Sequence, residues 1–103
     1  DKPIINGDSA FTITTDTMPR PHGPIADNLE QWAHWTAEFF LQAFARSVFV
    51  GWHYCGLIDA SNLVPRKVDR QHSGLLDGFG KPYPKLEATL KQCSKDMYTE
   101  ANR

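Results

Sequence analysis

Cysteine is scarce in this chain of 103 residues: Cys55 and Cys93 are the two it has. A disulfide needs an oxidising setting and Cα atoms within about 7 Å, and these two lie far apart in sequence, in different expected elements. They read as separate thiols acting as small hydrophobes. Charge of one sign is also missing. Eleven Lys and Arg against twelve Asp and Glu leave a formal charge of −1, which gives no electrostatic reason to expect nucleic acid or an anionic membrane surface as partner. No apolar run approaches the roughly 20 residues that cross a bilayer, and no basic, then apolar, leader opens the chain. The four histidines, His22, His34, His53 and His72, show neither helical i,i+4 pairing nor a Cys-x-x-Cys companion, so no metal site is expected. Gly74, Gly78 and Gly80 follow no phosphate-cradling spacing, and no Gly-x-Ser-x-Gly elbow occurs. No cofactor is expected. Methionine is found only at positions 18 and 97, and the expectation is a cut from something longer.

What is present is ordinary for a folded domain: 41% hydrophobic and 22% charged residues. Residues 2–6 read as a brief apolar strand, with Pro3 tolerated at its opening. Residues 8–27, rich in Pro, Gly, Ser and Thr, read as a long loop. A helix is expected from Asp27 or Asn28, either of which can cap its first turn. Trp32, Thr36, Phe40 and Phe44 recur every fourth residue to form a stripe that packs on a sheet. Trp35 and Phe39 lie on another side and call for neighbours of their own. The run Val48 to Tyr54 is β-branched and aromatic without clean alternation, as in a parallel strand covered on both faces. Residues 55–83 read as a second long loop with a tight turn at Asp77-Gly78. A last helix runs from Pro84 towards Asn102, with Leu86, Leu90, Cys93 and Met97 on its buried stripe.

The order strand, loop, helix, strand, loop, helix makes the two strands parallel. Two parallel strands leave edges unpaired and faces uncovered. The expected fold is therefore α/β: two consecutive βα units, strands 7 and 8 with helices 7 and 8, closing a (β/α)8 TIM barrel, a fold of about 250 residues. On this reading residues 1–103 are a single C-terminal unit without internal boundary, and the remainder of the barrel lies upstream of Asp1. The alternative is a small self-contained α/β domain.

Lys2-Pro3-Ile4-Ile5-Asn6-Gly7-Asp8 resembles the seventh-strand motif of clan A glycoside hydrolases, in which a Lys-Pro pair opens an apolar strand that ends in the nucleophile. Phe49-Val50-Gly51-Trp52-His53-Tyr54, with Asp59 shortly after, resembles the eighth strand of β-agarases. Gln71-His72-Ser73-Gly74-Leu75-Leu76-Asp77, then Gly80-Lys81-Pro82-Tyr83, is similar to the region where those enzymes lead into the closing helix. The similarity covers the whole chain in order.

The resemblance implies retaining hydrolysis of a galactan-type polysaccharide by two carboxyl groups about 5 to 5.5 Å apart. Asp8 would be the nucleophile, although the clan carries Glu there and Asp is one methylene shorter. The general acid would lie upstream of Asp1. Trp52 is the leading substrate-binding candidate, since an indole at a barrel mouth can cover a sugar ring. Of His53 and Tyr54, which alternate in direction, one should share the cleft and the other pack on a helix. Asp59 and His72 offer polar groups for hydroxyl recognition, as do Arg66, Arg70 and Gln71; Met18, Arg20 and His22 offer a cleft wall. The implied partner is a polysaccharide or oligosaccharide, and the implied location is secreted or periplasmic. A reading from another class stays open: a non-catalytic carbohydrate-binding or interaction module, with Asp8 a turn residue, Trp52 a core residue and the second loop a solvated surface.

Overall fold

The computed structural model describes residues 2–7, 10–16, 18–19, 23–54, 56–59, 72 and 74–101, the side chains of Glu100 and Ala101 excepted. Four elements follow in order: β1 (Ile4–Asn6), α1 (Leu29–Phe44), β2 (Phe49–Trp52) and α2 (Pro84–Ala101). The start of α1 is fixed by two reciprocal bonds. The Asn28 side chain accepts from the Gln31 N–H at 2.8 Å, and the Gln31 side chain accepts from the Asp27 N–H at 2.7 Å. This is a close relative of the capping box, in which free donors of the first turn are satisfied in exchange. Pro84 occupies the first position of α2, where no backbone N–H is needed, and the Tyr83 carbonyl accepts from the Glu87 N–H at 2.8 Å.

The strands pair in parallel, as the connectivity predicts, in the register Ile4↔Phe49, Ile5↔Gly51 and Asn6↔Trp52. Between the first two pairs β1 advances one residue and β2 advances two. Strict alternation would send Phe49 and Trp52 to opposite faces; the extra residue re-phases β2 so that both rings reach α1. Phe49 meets Phe44 at a centroid distance of 5.1 Å, and Trp52 meets Phe40 at 5.1 Å and Phe39 at 5.4 Å. Ile4, Ile5 and Val50 remain 52%, 62% and 56% exposed.

The stripe expected on α1 to face a sheet is divided between two neighbours. Phe40 and Phe44 take the strand, whereas Trp32 and Ala33 join Ala26 and Leu86 of α2 in the buried core. Thr36 is buried between them and donates its hydroxyl to the Trp32 carbonyl at 2.8 Å. Trp35 and Phe39 find a neighbour in the first loop: Phe11 meets them edge-on at 5.8 and 6.0 Å. On α2, Leu86 and Cys93 are buried, as expected, while Leu90 and Met97 are partly so. Cys93 is a free thiol whose pKa is pushed up by burial and, less, by Asp96. Cys55 lies outside the described residues.

Both long loops carry backbone pairing that linear periodicity does not announce. Thr12 bridges Ile25, the Thr12 N–H donating to the Pro24 carbonyl at 3.0 Å and the Ala26 N–H to the Thr12 carbonyl at 2.7 Å. In the second loop Leu76 bridges Ile58 on one side and Pro82 on the other. The turn at Asp77-Gly78 is wider than expected. Phe79 sits within it, and the chain returns at Lys81, because the Asp77 carboxylate accepts from both the Phe79 and Lys81 N–H groups at 2.9 Å. Gly74 lets the strips meet. A Cβ there would run into the backbone of Ile58 and Asp59 and approach the Leu76 carbonyl oxygen to 2.7 Å.

Two outcomes are expected. Gly74→Ala in the full natural chain should destabilise by about 1–3 kcal/mol, the range for forcing atoms into a filled site, read as a lower Tm. Residues 1–103 expressed alone should oligomerise on sizing chromatography, because the strand pair leaves Ile4, Ile5 and Val50 largely exposed; a monomer with a cooperative melt would contradict this.

Candidate active site

Parallel pairing brings the C-terminal ends of β1 and β2 together. Asn6 stands beside Trp52, and the ladder runs one residue further through the bond from the His53 N–H to the Asn6 carbonyl at 2.8 Å. Asp8, two positions beyond Asn6 in sequence, lies outside the described residues, as do Arg20, His22, Arg66, Arg70 and Gln71. Beyond the strand end, His53 is exposed, whereas Tyr54 turns to the helix and its phenol oxygen accepts from the Trp32 indole N–H at 3.2 Å. The Trp52 ring is half-buried against Phe39, Phe40 and Tyr54, and its Nε1 is buried with no acceptor among the described residues. The register shift that re-phases β2 is what turns this indole towards α1.

Asp59 and His72, 13 residues apart in sequence, are brought together, and they lie inside the structure. Asp59 is 4% exposed. Its Oδ1 accepts from the Gly74 N–H at 2.8 Å, and its Oδ2 takes His72 Nδ1 at 2.7 Å together with the Tyr83 hydroxyl. A buried carboxylate needs such donors, since an unpaired one costs several kcal/mol. The placement follows from the backbone: the Asp59 N–H pairs with the Leu76 carbonyl at 2.9 Å, which turns the following side chain towards Gly74 and the start of α2. His72 is held at two further points. Its carbonyl accepts from the Thr12 hydroxyl, and its Nε2 lies 3.0 Å from the Thr15 hydroxyl. Both ring nitrogens thus have polar partners, Nδ1 with Asp59 and Nε2 with Thr15. Tyr83 has its pKa raised, first by burial and then by its bond to Asp59 and by the charges of Asp59 and Asp77, so its phenol remains a donor throughout the physiological range.

Sequence reasoning selected Asp59 and His72 but not Tyr83, Thr12 or Thr15. No spacing announces these three, which join positions far apart in the chain; Tyr83 in particular reads only as the lead-in to Pro84. Among the described residues no group of three or more His, Cys, Asp or Glu side chains gathers to hold a metal ion, and no helix is long and apolar enough to cross a membrane.

Neither a protein-family model nor a curated protein sequence matches the chain. Solved structures do. The chain is similar in fold to PfGH50B, with a TM-score of 0.88 at 20% identity over 100% of its length, and to an exo-β-agarase, with 0.85 at 20% over 97%. An agarase, AgWH50C, follows with 0.82 at 17% over 96%. The chain spans only 15%, 14% and 16% of those three chains. The likeness establishes that this α/β arrangement of two strands and two helices has the fold of a segment of much larger agarase structures.

The Tyr83 environment makes a pH prediction. A phenol free in the unfolded chain ionises near pH 10, and the folded one resists. Its contribution to stability is therefore complete below about pH 10 and is lost as pH rises from there towards the raised folded value. Tyr83→Phe should flatten this alkaline decline in Tm and cost about 1–3 kcal/mol at neutral pH, the range for withdrawing one donor from a buried carboxylate.

Proposed function

We propose that this chain is the closing part of a retaining glycoside hydrolase barrel acting on a galactan-type polysaccharide, with β1 and β2 as strands 7 and 8 and α1 and α2 as helices 7 and 8. The observation that carries this reading is the end-to-end likeness to agarase structures, joined to the parallel pairing that sets Asn6 beside Trp52. Barrel enzymes build their sites at the C-terminal ends of parallel strands. The remainder of the barrel, upstream of Asp1, supplies the other strands and the general acid, and residues 1–103 alone do not hydrolyse. The whole protein works outside the cytoplasm, where the polymer is.

In this reading Asp8 attacks the anomeric carbon. The partner carboxylic acid protonates the leaving oxygen, and as a carboxylate it then activates the water that releases the glycosyl-enzyme intermediate. His53, exposed immediately after β2, meets a sugar hydroxyl. Trp52 and Tyr54 line the strand end. Packed between the strand and α1, they form a firm wall behind the cleft. Asp59 and His72 serve substrate through the loop that carries them.

A second reading, a non-catalytic carbohydrate-binding module derived from the same barrel, is favoured by one feature: Asp stands at position 8 where the resembled clan carries Glu. One experiment separates the two in the full natural chain assayed on agarose. Asp8→Asn should lower kcat by at least about a thousandfold with agarose binding retained, the pattern for removing a group that acts in the transition state. Asp8→Glu should alter kcat strongly, because a shift of about 1 Å costs about a hundredfold. Turnover indifferent to both changes removes the catalytic assignment, and retained binding without any turnover in the natural chain selects the module.

A further inference from the structure

We infer that Asp59, His72 and Tyr83 form a positioning cluster that clamps the loop after β1 to the loop after β2 and to the first turn of α2. Its catalytic consequence rests on the hydrolase reading above; its mechanical consequence does not. Three segments distant in sequence converge on one imidazole. Asp59 and the Tyr83 hydroxyl engage Nδ1 from the second loop, at 2.7 and 2.9 Å. Thr15 engages Nε2 at 3.0 Å from the first loop, 57 residues away along the chain. The attachment is doubled. Thr12, fully buried, gives its hydroxyl to the His72 carbonyl across 60 residues, so backbone and side chain of one residue hold two threonines of the same loop.

Two-point attachment matters because residues 10–16, although Ala10 and Thr12 are buried and Phe11 and Ile13 pack on the core, belong to no helix or strand of their own. Among the described residues their backbone bonds run to Pro24 and Ala26 through Thr12 and to Met18 through Thr15, and their apolar anchors are Ile13 on the core and Phe11 on Trp35 and Phe39. The carboxylate side of the cluster is rigid by contrast. Asp59 has both oxygens engaged, and Gly74, which gives one of those bonds, admits no side chain. His72 therefore ties a fixed point in the second loop to the first loop, which begins directly after β1, where barrel enzymes carry catalytic groups.

The test uses the full natural chain, with agarose as probe substrate and amide hydrogen exchange as a readout independent of turnover. His72→Leu, which removes the imidazole contacts to Asp59, Tyr83 and Thr15, should speed exchange in residues 10–16, 25 and 26 by at least about tenfold while leaving α1 and α2 protected. Thr15→Ala keeps the buried carboxylate intact and serves if the leucine variant fails to fold. It should reproduce the faster exchange with little change in Tm, and Thr15→Ser, which restores a hydroxyl, should reverse it. In kinetics Thr15→Ala should lower kcat about three- to tenfold with KM nearly constant, the signature of lost alignment. Unchanged exchange in residues 10–16 for both His72→Leu and Thr15→Ala overturns the clamp, whatever the enzyme does. Faster exchange with kcat unchanged overturns its catalytic consequence. Absence of agarose turnover in the natural chain overturns the hydrolase reading and leaves the exchange result to decide the clamp.

Discussion

The fold hangs on α1 being apolar around most of its circumference. Among the described residues β2 and α2 do not meet, and α1 packs against both. Trp32 illustrates the constraint. It is fully buried, its ring meets Tyr83 at 5.4 Å on the α2 side, and its N–H is satisfied by Tyr54 on the strand side. One side chain thus spans both interfaces. Truncating such a residue costs about 3–5 kcal/mol in other proteins, and here it would loosen two interfaces at once. Phe40 and Phe44 extend the strand side, and Phe11 closes the third. A helix of 16 residues with three covered sides positions both strands' ends relative to the loop that precedes it.

That aromatic layer and the buried carboxylate solve different problems. The rings supply non-directional burial, which tolerates small adjustments in orientation, as the range of interplanar angles from 40° to 81° shows. Asp59 supplies direction. A carboxylate out of water is tolerated only in a narrow arrangement of donors, so the loops that furnish them are held to one conformation. The first kind of interaction brings the elements together; the second selects how the connecting segments run between them.

Local chemistry accounts for which parts could be read in advance. The Asn28 cap, the Pro84 start and the parallel pairing of the two strands follow from short-range rules, and the structure bears them out. The division of the α1 stripe is less legible, since periodicity reports that Trp32 and Phe40 share a side but not that α2 covers one and β2 the other. The direction of Trp52 was hidden by one inserted residue in the ladder, which no sequence period records. The role of Asp59 was hidden for another reason. An acidic residue in a long polar loop looks like surface, and only the convergence of Gly74, His72 and Tyr83, brought in by backbone bridges between short strips, turns it inward.

The two faces of the strand pair bear on what this segment does. On the α1 side Phe49 and Trp52 are matched by rings; on the other, Ile5 and Val50 stand exposed, with Gly51 opposite Ile5. A self-sufficient domain of this size would not leave its sheet apolar and bare. In a closed barrel that bare face is the interior, filled by layers of branched side chains from alternate strands, and Ile5 and Val50 are residues of that kind. The polar step from this apolar interior to a working rim must then fall at the next positions along each strand. That is where Asn6 gives way to Gly7 and Asp8, and where Trp52 gives way to the exposed His53. On the proposal that this segment closes a barrel, the bare face is the interior and the strand ends at Asn6 and Trp52 stand side by side at its mouth.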